Sequence, residues 1–315
     1  METISVNKVV NEIKQCVLGE RVFSAEKTQI DEWLYPLDLD FTMQAEDLYY
    51  SPKDEVGIPV KIYQSIGKQY NPSRVAAYGF SNWNLYRKTG SQQYIDSFRR
   101  VSKWFSSSSD GIWHYDFDWE DIKAPWISCL AQGQGVSILS RAYLLDKDPH
   151  YLDIARRALS PFFHEIAQKG IRSALESGSV FFEEYPGNCT KHVLNGFMYA
   201  AIGVCDLVRI CGDPTGRQLL YDMKETLEKN ILQWDLGYWS AYDLTRTVQQ
   251  QSCNPCTAQY HSLHIAQLQY LAHELDSELL HNVALRWDSY FKTVTNRIRA
   301  ISGKISYRLR YPAQC

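Results

Sequence analysis

The chain has 315 residues, of which 45% are hydrophobic and 22% charged, with a formal net charge of -3 and a pI near 6.3. This composition is typical of a globular protein with a sizeable core, and it excludes a largely disordered chain. The small net charge provides no general attraction to nucleic acid or to an anionic membrane, so neither is expected as a partner.

The N-terminal stretch METISVNKVVNEIKQCVLGE is polar and lacks the uninterrupted apolar run of a secretory signal. No later segment is expected to reach the length of a membrane span. Several of the eight cysteines, such as Cys129 and Cys205, fall in apolar helical patterns, where free thiols pack as small hydrophobes. These features predict a soluble protein of a reducing compartment, the cytoplasm, and leave a homodimer open as its assembly.

Hydrophobic periodicity predicts helices in four consecutive pairs. The predicted ranges are 73–89 with 91–105, 127–145 with 150–168, 192–211 with 216–232, and 260–275 with 277–298. The third pair begins with a helix that is apolar on nearly all sides, whereas the last helix carries a single apolar stripe. This alternation indicates two concentric rings of helices.

The expected fold class is therefore mainly α, an incomplete α/α toroid with short β-hairpins at the active-site mouth. Residues 1–70 are expected to form an N-terminal extension that packs on a barrel of residues 71–315. The starts of the buried helices read VAAYGFSNW, LAQGQGVS, HVLNGFMY and YHSLHIAQL, each mixing polar with apolar residues. Buried polar groups need partners or a ligand, so Gln134 and Asn195 are candidate substrate-binding residues.

Aromatic residues are abundant, with 21 tyrosines, 12 phenylalanines and 9 tryptophans. Such side chains suit a carbohydrate groove, because sugar rings have apolar faces and hydroxyl rims, but on composition alone a plain aromatic core is favoured. In GIWHYDFDWED, aromatic and acidic residues alternate from Trp113 onward, which predicts a strand with one aromatic and one acidic face. Trp113 is a candidate sugar contact.

Three segments could carry chemistry. In FFEEYPG, Glu183, Glu184 and Tyr185 follow a predicted buried strand and precede a turn, a common position for catalytic groups, although acids near turns are often only solvated caps. In YWSAYDLTR, Tyr242 lies on the same face of a predicted strand as Tyr238, Ser240 and Leu244. Arg246 follows this strand and could bind a carboxylate or sulfate in bidentate fashion. An edge hairpin is the alternative there.

The third segment, CNPCTAQYHSLHIAQLQ, places Tyr260 immediately before a helix that contains His261 and His264. The cysteines and histidines are spaced more tightly than in zinc fingers, so histidine hydrogen bonding or substrate contact is favoured over a structural metal. The chain lacks GxxxxGK[ST], HExxH and GxSxG. Neither a metal nor another cofactor is therefore expected.

Four segments in this order resemble the C-terminal catalytic domain of the D-glucuronyl C5-epimerases. They are PWISCLAQGQGVSILSRAYLL (125–145), FFEEYPGNCTKHVLNGFMYAAIG (181–203), AYDL (241–244) and QYHSLHIAQLQYL (259–271). The resemblance extends from about Ala76 to Trp287 and implies conversion of glucuronate to iduronate in heparosan or its N-sulfated form. It implies a compact member of bacterial type, without the membrane anchor and β-rich domains of the vertebrate enzymes.

The resemblance further implies that Glu184, Tyr185, Tyr242 and Tyr260 are the catalytic residues. The family usually has an arginine directly after YDL, whereas Thr245 stands there in this chain and Arg246 follows. Epimerisation at C5 needs two proton-transfer groups, one for each face of the ring, and a positive group that neutralises the carboxylate. The candidates for the positive group are Arg246, Arg74, His261 and His264, and Glu183 is a further candidate for substrate contact.

Tyrosine has an ordinary pKa of about 10, so a phenol acting as a base is expected to need a cationic neighbour that lowers it. The predicted partner is an anionic polysaccharide. A lyase is the nearest alternative, because the same carbanion can expel the 4-linked sugar. A glycoside hydrolase pairing Glu184 with Asp116 or Asp243, and a non-catalytic glycan-binding protein, are also consistent with the sequence.

Overall fold

The structure is a computed structural model, and it describes residues 13, 14, 16–26, 31–245 and 252–311. The α-helices in this part of the chain are α1 (Asp40–Gln44), α2 (Glu46–Tyr50), α3 (Pro72–Thr89), α4 (Gln92–Ser106), α5 (Cys129–Asp146), α6 (Pro149–Arg157), α7 (Leu194–Cys211), α8 (Pro214–Asn230), α9 (Ala258–Glu274), α10 (Glu278–Lys292) and α11 (Val294–Arg310). The strands are β1 (Lys61–Tyr63), β2 (Gly67–Gln69), β3 (Arg172–Ala174) and β4 (Val180–Phe182).

The predicted α/α toroid is confirmed. The inner helices α3, α5, α7 and α9 are buried along most of their length, and each pairs with the outer helix that follows it. α5 packs against α3 and α7, and α7 packs against α9. Among the described helices, α3 and α9 make no comparable contact with each other, so the inner ring is open on one side.

Glycines allow α5 and α7 to pack backbone against backbone. A Cβ on Gly133 would lie 2.4 Å from the Cα of Ala200, and one on Gly203 would lie 1.9 Å from the carbonyl oxygen of Gly133. Real side chains cannot approach this closely, so both positions require glycine. The contact between the two helices thereby explains Gly133 in LAQGQGVS and Gly203 at the end of GFMYAAIG.

The segment before α1 crosses the C-terminal ends of the inner helices. Asn84 of α3 accepts a hydrogen bond from the Tyr35 amide at 2.7 Å and donates to the carbonyls of Tyr35 and Leu37 at 3.1 and 3.2 Å. The Tyr35 ring stacks on Phe80 with ring centroids 3.6 Å apart. These contacts close the floor of the toroid.

An earlier stretch, residues 16–26, spans the open side of the inner ring. The Phe23 amide donates to Ser262 of α9 at 3.3 Å, and Glu26 pairs with Lys88 of α3. Residues of the predicted N-terminal extension thus connect the first and last inner helices.

Two short antiparallel hairpins lie among the helices. β1 pairs with β2, and β3 pairs with β4 in a register that sets Ser173 opposite Phe181. Phe181 and Phe182 are fully buried, as predicted for the strand before the EEYP turn. The GIWHYDFDWED stretch keeps its predicted alternation of buried aromatic and exposed acidic side chains, but it is a loop closed by single bridges, Tyr115 to Trp126 and Trp119 to Ile122.

Two predicted helices end or divide at residues that the prediction placed inside them. The helix expected over 150–168 ends at Arg157, because Pro161 lacks the amide hydrogen that would continue it, and short 3₁₀ turns follow. The helix expected over 277–298 is divided by the extended residue Thr293 into α10 and α11.

Contrary to expectation, one described helix, α7, is long and apolar enough by composition to cross a membrane. It is a core helix of this fold, because 72% of its apolar 18-residue window is buried.

Breaking the buried ion pair between Arg141 of α5 and Asp206 of α7 should destabilise the protein strongly. Ser137 completes the pair by donating to Asp206 at 2.6 Å. Asp206→Ala should lower the free energy of unfolding in urea by about 3–5 kcal/mol, because it leaves a buried guanidinium unpaired. Arg99→Ala, which breaks the partly exposed pair with Asp146, should cost less than about 1 kcal/mol. Similar losses of unfolding free energy in the two variants would contradict the inference that the Arg141–Asp206 pair is buried and the Arg99–Asp146 pair is exposed to solvent.

Candidate active site

A cleft of about 390 Å³ opens at the N-terminal ends of the four inner helices. Each of these helices contributes residues of its first turns to the lining. They are Ser73, Arg74 and Ala77 of α3, Leu130 and Gln134 of α5, Asn195 and Tyr199 of α7, and Gln259, Tyr260 and Leu263 of α9. Helix N-termini carry partial positive charge, so their convergence favours an anionic ligand in the cleft.

Glu184 lies at the centre of the predicted constellation and is only 7% exposed. It lies two residues after the end of β4, and its Oε2 accepts a hydrogen bond from the Asn195 Nδ2 at 3.2 Å. Burial raises the pKa of Glu184 to about 7, although hydrogen bonds from Tyr185 and Asn195 act in the opposite direction. A carboxyl group with this pKa can take or give a proton near neutral pH.

Tyrosines surround this carboxylate. Tyr185 and Tyr260 line the cleft with it, and Tyr242 lies just behind Tyr260, with ring centroids 5.0 Å apart in an edge-to-face arrangement. Burial raises the pKa of Tyr185 and Tyr242 well above the usual value, and the nearby Glu184 raises it further. These two phenols are therefore neutral hydrogen-bond donors, contrary to the expectation of a phenol with a lowered pKa.

Several buried polar atoms beside Glu184 have no partner among the described residues. They are the Gln134 Oε1, the Asn195 Oδ1, the Ser128 Oγ and the Arg74 Nε, and all four side chains line the cleft. Buried polar groups without partners are costly unless a ligand or water satisfies them. Arg74 is the one cation in the lining that the described residues provide, and its Nη2 is held by the Ser51 carbonyl at 3.0 Å.

The two histidines of the H-x-x-H helix do not face the cleft, which corrects their predicted role in binding substrate. The His261 Nε2 donates to the Trp287 carbonyl at 3.0 Å, and its Nδ1 lies 2.7 Å from the Ser240 Oγ. The His264 Nδ1 lies 3.1 Å from the same hydroxyl. Burial lowers the pKa of His261 far below its usual value and that of His264 to about 3, so both are neutral core residues.

Two further candidates are also structural. The Glu183 carboxylate is fully buried and bonded to the Ser173 hydroxyl at 2.7 Å and the His192 amide at 3.1 Å, so it is closed to substrate. Trp113 packs over Gly135 in the core, and its Nε1 donates to the Phe105 carbonyl at 3.0 Å. Arg246 lies outside the described residues.

Several lining residues were not anticipated. Tyr199 is four residues after Asn195 on α7, so it faces the same side of the helix, and that spacing could have identified it. Other unanticipated residues are Tyr63, Asn71, Ser73, Tyr115, Trp126 and Ser128. Tyr63 precedes the barrel in sequence, and no motif connects it with the later segments.

No metal-ligand cluster lies in the described part of the cleft. Within the described residues, Glu26, Asp38 and Asp40 are close enough together to hold a cation, but Lys88 already pairs with Glu26 and Asp40. None of these three acids lines the cleft.

The raised pKa of Glu184 should make the protein less stable as pH rises from about 4.5 to about 7. Between its ordinary pKa of 4.5 and about 7, the folded state keeps a proton that the unfolded state has released, so the free energy of unfolding falls as pH rises. Glu184→Gln removes this dependence. We expect the wild-type minus Glu184→Gln difference in urea unfolding free energy to fall by about 2–3 kcal/mol from pH 5 to pH 8.

A matched control is Glu176→Gln, which changes an exposed acid in the β3–β4 turn. Its difference from wild type should be nearly the same at both pH values. A constant difference for Glu184→Gln as well would show that Glu184 is not a buried group with a raised pKa.

Comparison with known proteins identifies relatives of this chain. A family model described as the C-terminus of D-glucuronyl C5-epimerase matches residues 106–289, more than half of the chain. D-glucuronyl C5-epimerase of Caenorhabditis elegans is 32% identical over 177 residues, which cover 52% of this chain and 29% of the relative. An uncharacterized protein of Methanocaldococcus jannaschii is 24% identical over 181 residues, with 56% of each covered. The chain thus spans less than two thirds of the length of either relative.

Among solved structures, cellobiose 2-epimerase from Bacillus thermoamylovorans superimposes with a TM-score of 0.55 at 11% sequence identity. The match covers 90% of this chain and 75% of that enzyme. At this identity the likeness supports the toroid fold alone.

Proposed function

The chain belongs to the D-glucuronyl C5-epimerase family, and we propose that it epimerises C5 of glucuronate residues within an anionic polysaccharide. Heparosan or its N-sulfated form is the proposed substrate, with iduronate as the product. The observation that carries this proposal is Glu184, a buried carboxyl with a pKa of about 7 that shares one cleft with the Tyr260 phenol. Inversion at a C–H centre requires two proton-transfer groups, and the presence of both in one cleft supports the proposal.

The reaction begins with the transfer of the C5 proton from the sugar to a base. Glu184 in its ionised form accepts this proton, and the electron pair passes into the neighbouring carboxylate to give an enolate-like dianion. Tyr260 then donates its phenolic proton to C5 from the opposite face of the ring. The two protonation changes balance, and exchange with solvent restores the initial states of Glu184 and Tyr260.

The dianion needs stabilisation because a carboxylate alone makes the C5 proton only weakly acidic. The converging helix N-termini and the Arg74 guanidinium supply positive charge on the lining. The Ser128 hydroxyl can donate to the carboxylate oxygens, whereas the unpaired Gln134 Oε1 and Asn195 Oδ1 are acceptors and suit the sugar hydroxyls. Such groups are placed before reaction, so they lower the barrier without reorganising during it.

The glycosidase alternative has less support from the site. Asp116 is exposed and does not line the cleft, and Asp243 is buried with hydrogen bonds from Thr245 and Asn254. Among the described lining residues, Glu184 is the one carboxylate, whereas hydrolysis uses a pair. A lyase shares the first step with an epimerase, so the assay below includes its product.

The assignment of Glu184 and Tyr260 to opposite faces can be tested by isotope exchange. In deuterium oxide, wild-type protein with heparosan should incorporate deuterium at C5. Glu184→Gln and Tyr260→Phe should each reduce net epimerisation by at least 100-fold, since each keeps shape and removes one proton-transfer group. Each variant keeps one proton-transfer group and should still exchange the C5 proton on that face of the ring. Exchange in glucuronate polymer and in iduronate polymer should therefore change in opposite ways in the two variants. Tyr242→Phe should slow exchange in both polymers to the same extent, because Tyr242 is proposed to orient or stabilise the carboxylate and not to transfer the C5 proton.

The control is Tyr221→Phe, an exposed tyrosine on the outer helix α8, which should retain activity within about twofold. A face-selective loss in Tyr199→Phe rather than in Tyr260→Phe would reassign the phenol. Release of an unsaturated, ultraviolet-absorbing uronate would identify a lyase. Tight polymer binding without exchange or cleavage by the wild type would indicate a glycan-binding protein.

A further inference from the structure

One side of the cleft is formed by five aromatic residues that take no part in the proposed proton transfers. This aromatic wall consists of Tyr63, Tyr115, Phe117, Trp119 and Trp126, all of which line the cleft. Tyr115 stacks on Trp126 with ring centroids 4.1 Å apart, and Tyr63 lies 4.8 Å from Phe117. The wall belongs to an apolar cluster separate from the main hydrophobic core.

The wall is held rigidly. Tyr115 and Trp126 exchange backbone hydrogen bonds of 2.8 and 3.2 Å, and the Trp126 Nε1 donates to the Phe117 carbonyl at 2.8 Å. At its other edge the Tyr115 hydroxyl lies 2.7 Å from the Ser73 Oγ, and Asn71 donates to the Tyr63 hydroxyl at 3.1 Å. A ligand that contacts these rings therefore loses little free energy to ordering the protein.

The wall is also fixed relative to the reactive groups. Trp126 lies 6.1 Å from the Tyr185 ring. The loop that bears Trp119 is tied to the segment after Tyr185 by the Glu120–Lys191 ion pair and by a 2.9 Å hydrogen bond from the Asn188 amide to Asp121. A sugar bound on the wall is consequently held at a set distance from Glu184.

The geometry points to the aromatic wall as a second sugar subsite, which stacks on the apolar face of the hexosamine next to the reacting uronate. This inference rests on the proposed function. The five wall side chains carry no charge, so they recognise an uncharged pyranose face rather than a carboxylate or sulfate. Tyr63 and Trp119 are only half-buried, which leaves ring surface for contact. The subsite would select an alternating uronate–hexosamine polymer and set the register that brings uronate to Glu184.

Trp119→Ala tests the subsite with two probes, a heparosan hexasaccharide and methyl β-glucuronide, which lacks the hexosamine. C5 exchange in deuterium oxide should show a KM for the hexasaccharide raised about 10-fold, with kcat within about threefold of wild type. Exchange in methyl glucuronide should be slow in both proteins and equal within about twofold. Trp119→Tyr, which retains a ring, should recover most of the affinity. Trp104→Phe, at a half-buried tryptophan outside the cleft, is the control.

The outcomes separate the two proposals. An unchanged KM for the hexasaccharide, or an equal loss on both probes, would overturn the subsite while leaving the epimerase proposal intact. No exchange by wild-type protein would overturn the epimerase proposal, and calorimetry with the hexasaccharide would then test the wall alone. In that case loss of binding in both Trp119→Ala and Tyr63→Leu supports the subsite, and unchanged binding contradicts it.

Discussion

The backbone contact between α5 and α7 is the constraint on which the cleft depends. Gly133 and Gly203 allow the two helices to touch, and the Arg141–Asp206 pair locks them below that contact. Because the helices are held so closely, their first turns bring Gln134 and Asn195 to the same opening, where both line the cleft with Glu184. A bulkier residue at either glycine would separate the helices and pull apart the groups that surround the carboxylate.

Hydrophobic periodicity was sufficient to predict the paired helices, because each inner helix is buried over most of its surface and each outer helix has one apolar stripe. It could not locate breaks of a single residue. Thr293 is extended, with φ -89° and ψ 117°, yet the apolar pattern continues across it from α10 into α11. The floor formed by Tyr35 and Asn84 was also unpredictable, since it depends on a contact between residues 49 positions apart.

The same limit applies to the site. The motifs identified Glu184, Tyr185 and Tyr260, all of which line the cleft. They could not distinguish a polar residue that awaits a ligand from one already satisfied within the core. His261 and Asn195 both lie on buried helices, but the distant partners Ser240 and Trp287 engage both ring nitrogens of the histidine, whereas the Asn195 Oδ1 is unpaired among the described residues. Three residues of the aromatic wall, Tyr115, Phe117 and Trp119, follow the predicted alternation of side chains, although their backbone forms a loop closed by single bridges and not a regular strand.

The pKa of Glu184 near 7 has a consequence for the direction of the proposed reaction. At neutral pH the ionised and protonated forms of this carboxyl coexist, so Glu184 can act as the base toward one epimer and as the acid toward the other, with Tyr260 in the complementary protonation state. Such a catalyst accelerates the forward and reverse conversions together. The polymer would then approach the ratio set by the relative free energies of glucuronate and iduronate in the chain. A one-way outcome would require a later, irreversible modification that removes one epimer from the equilibrium.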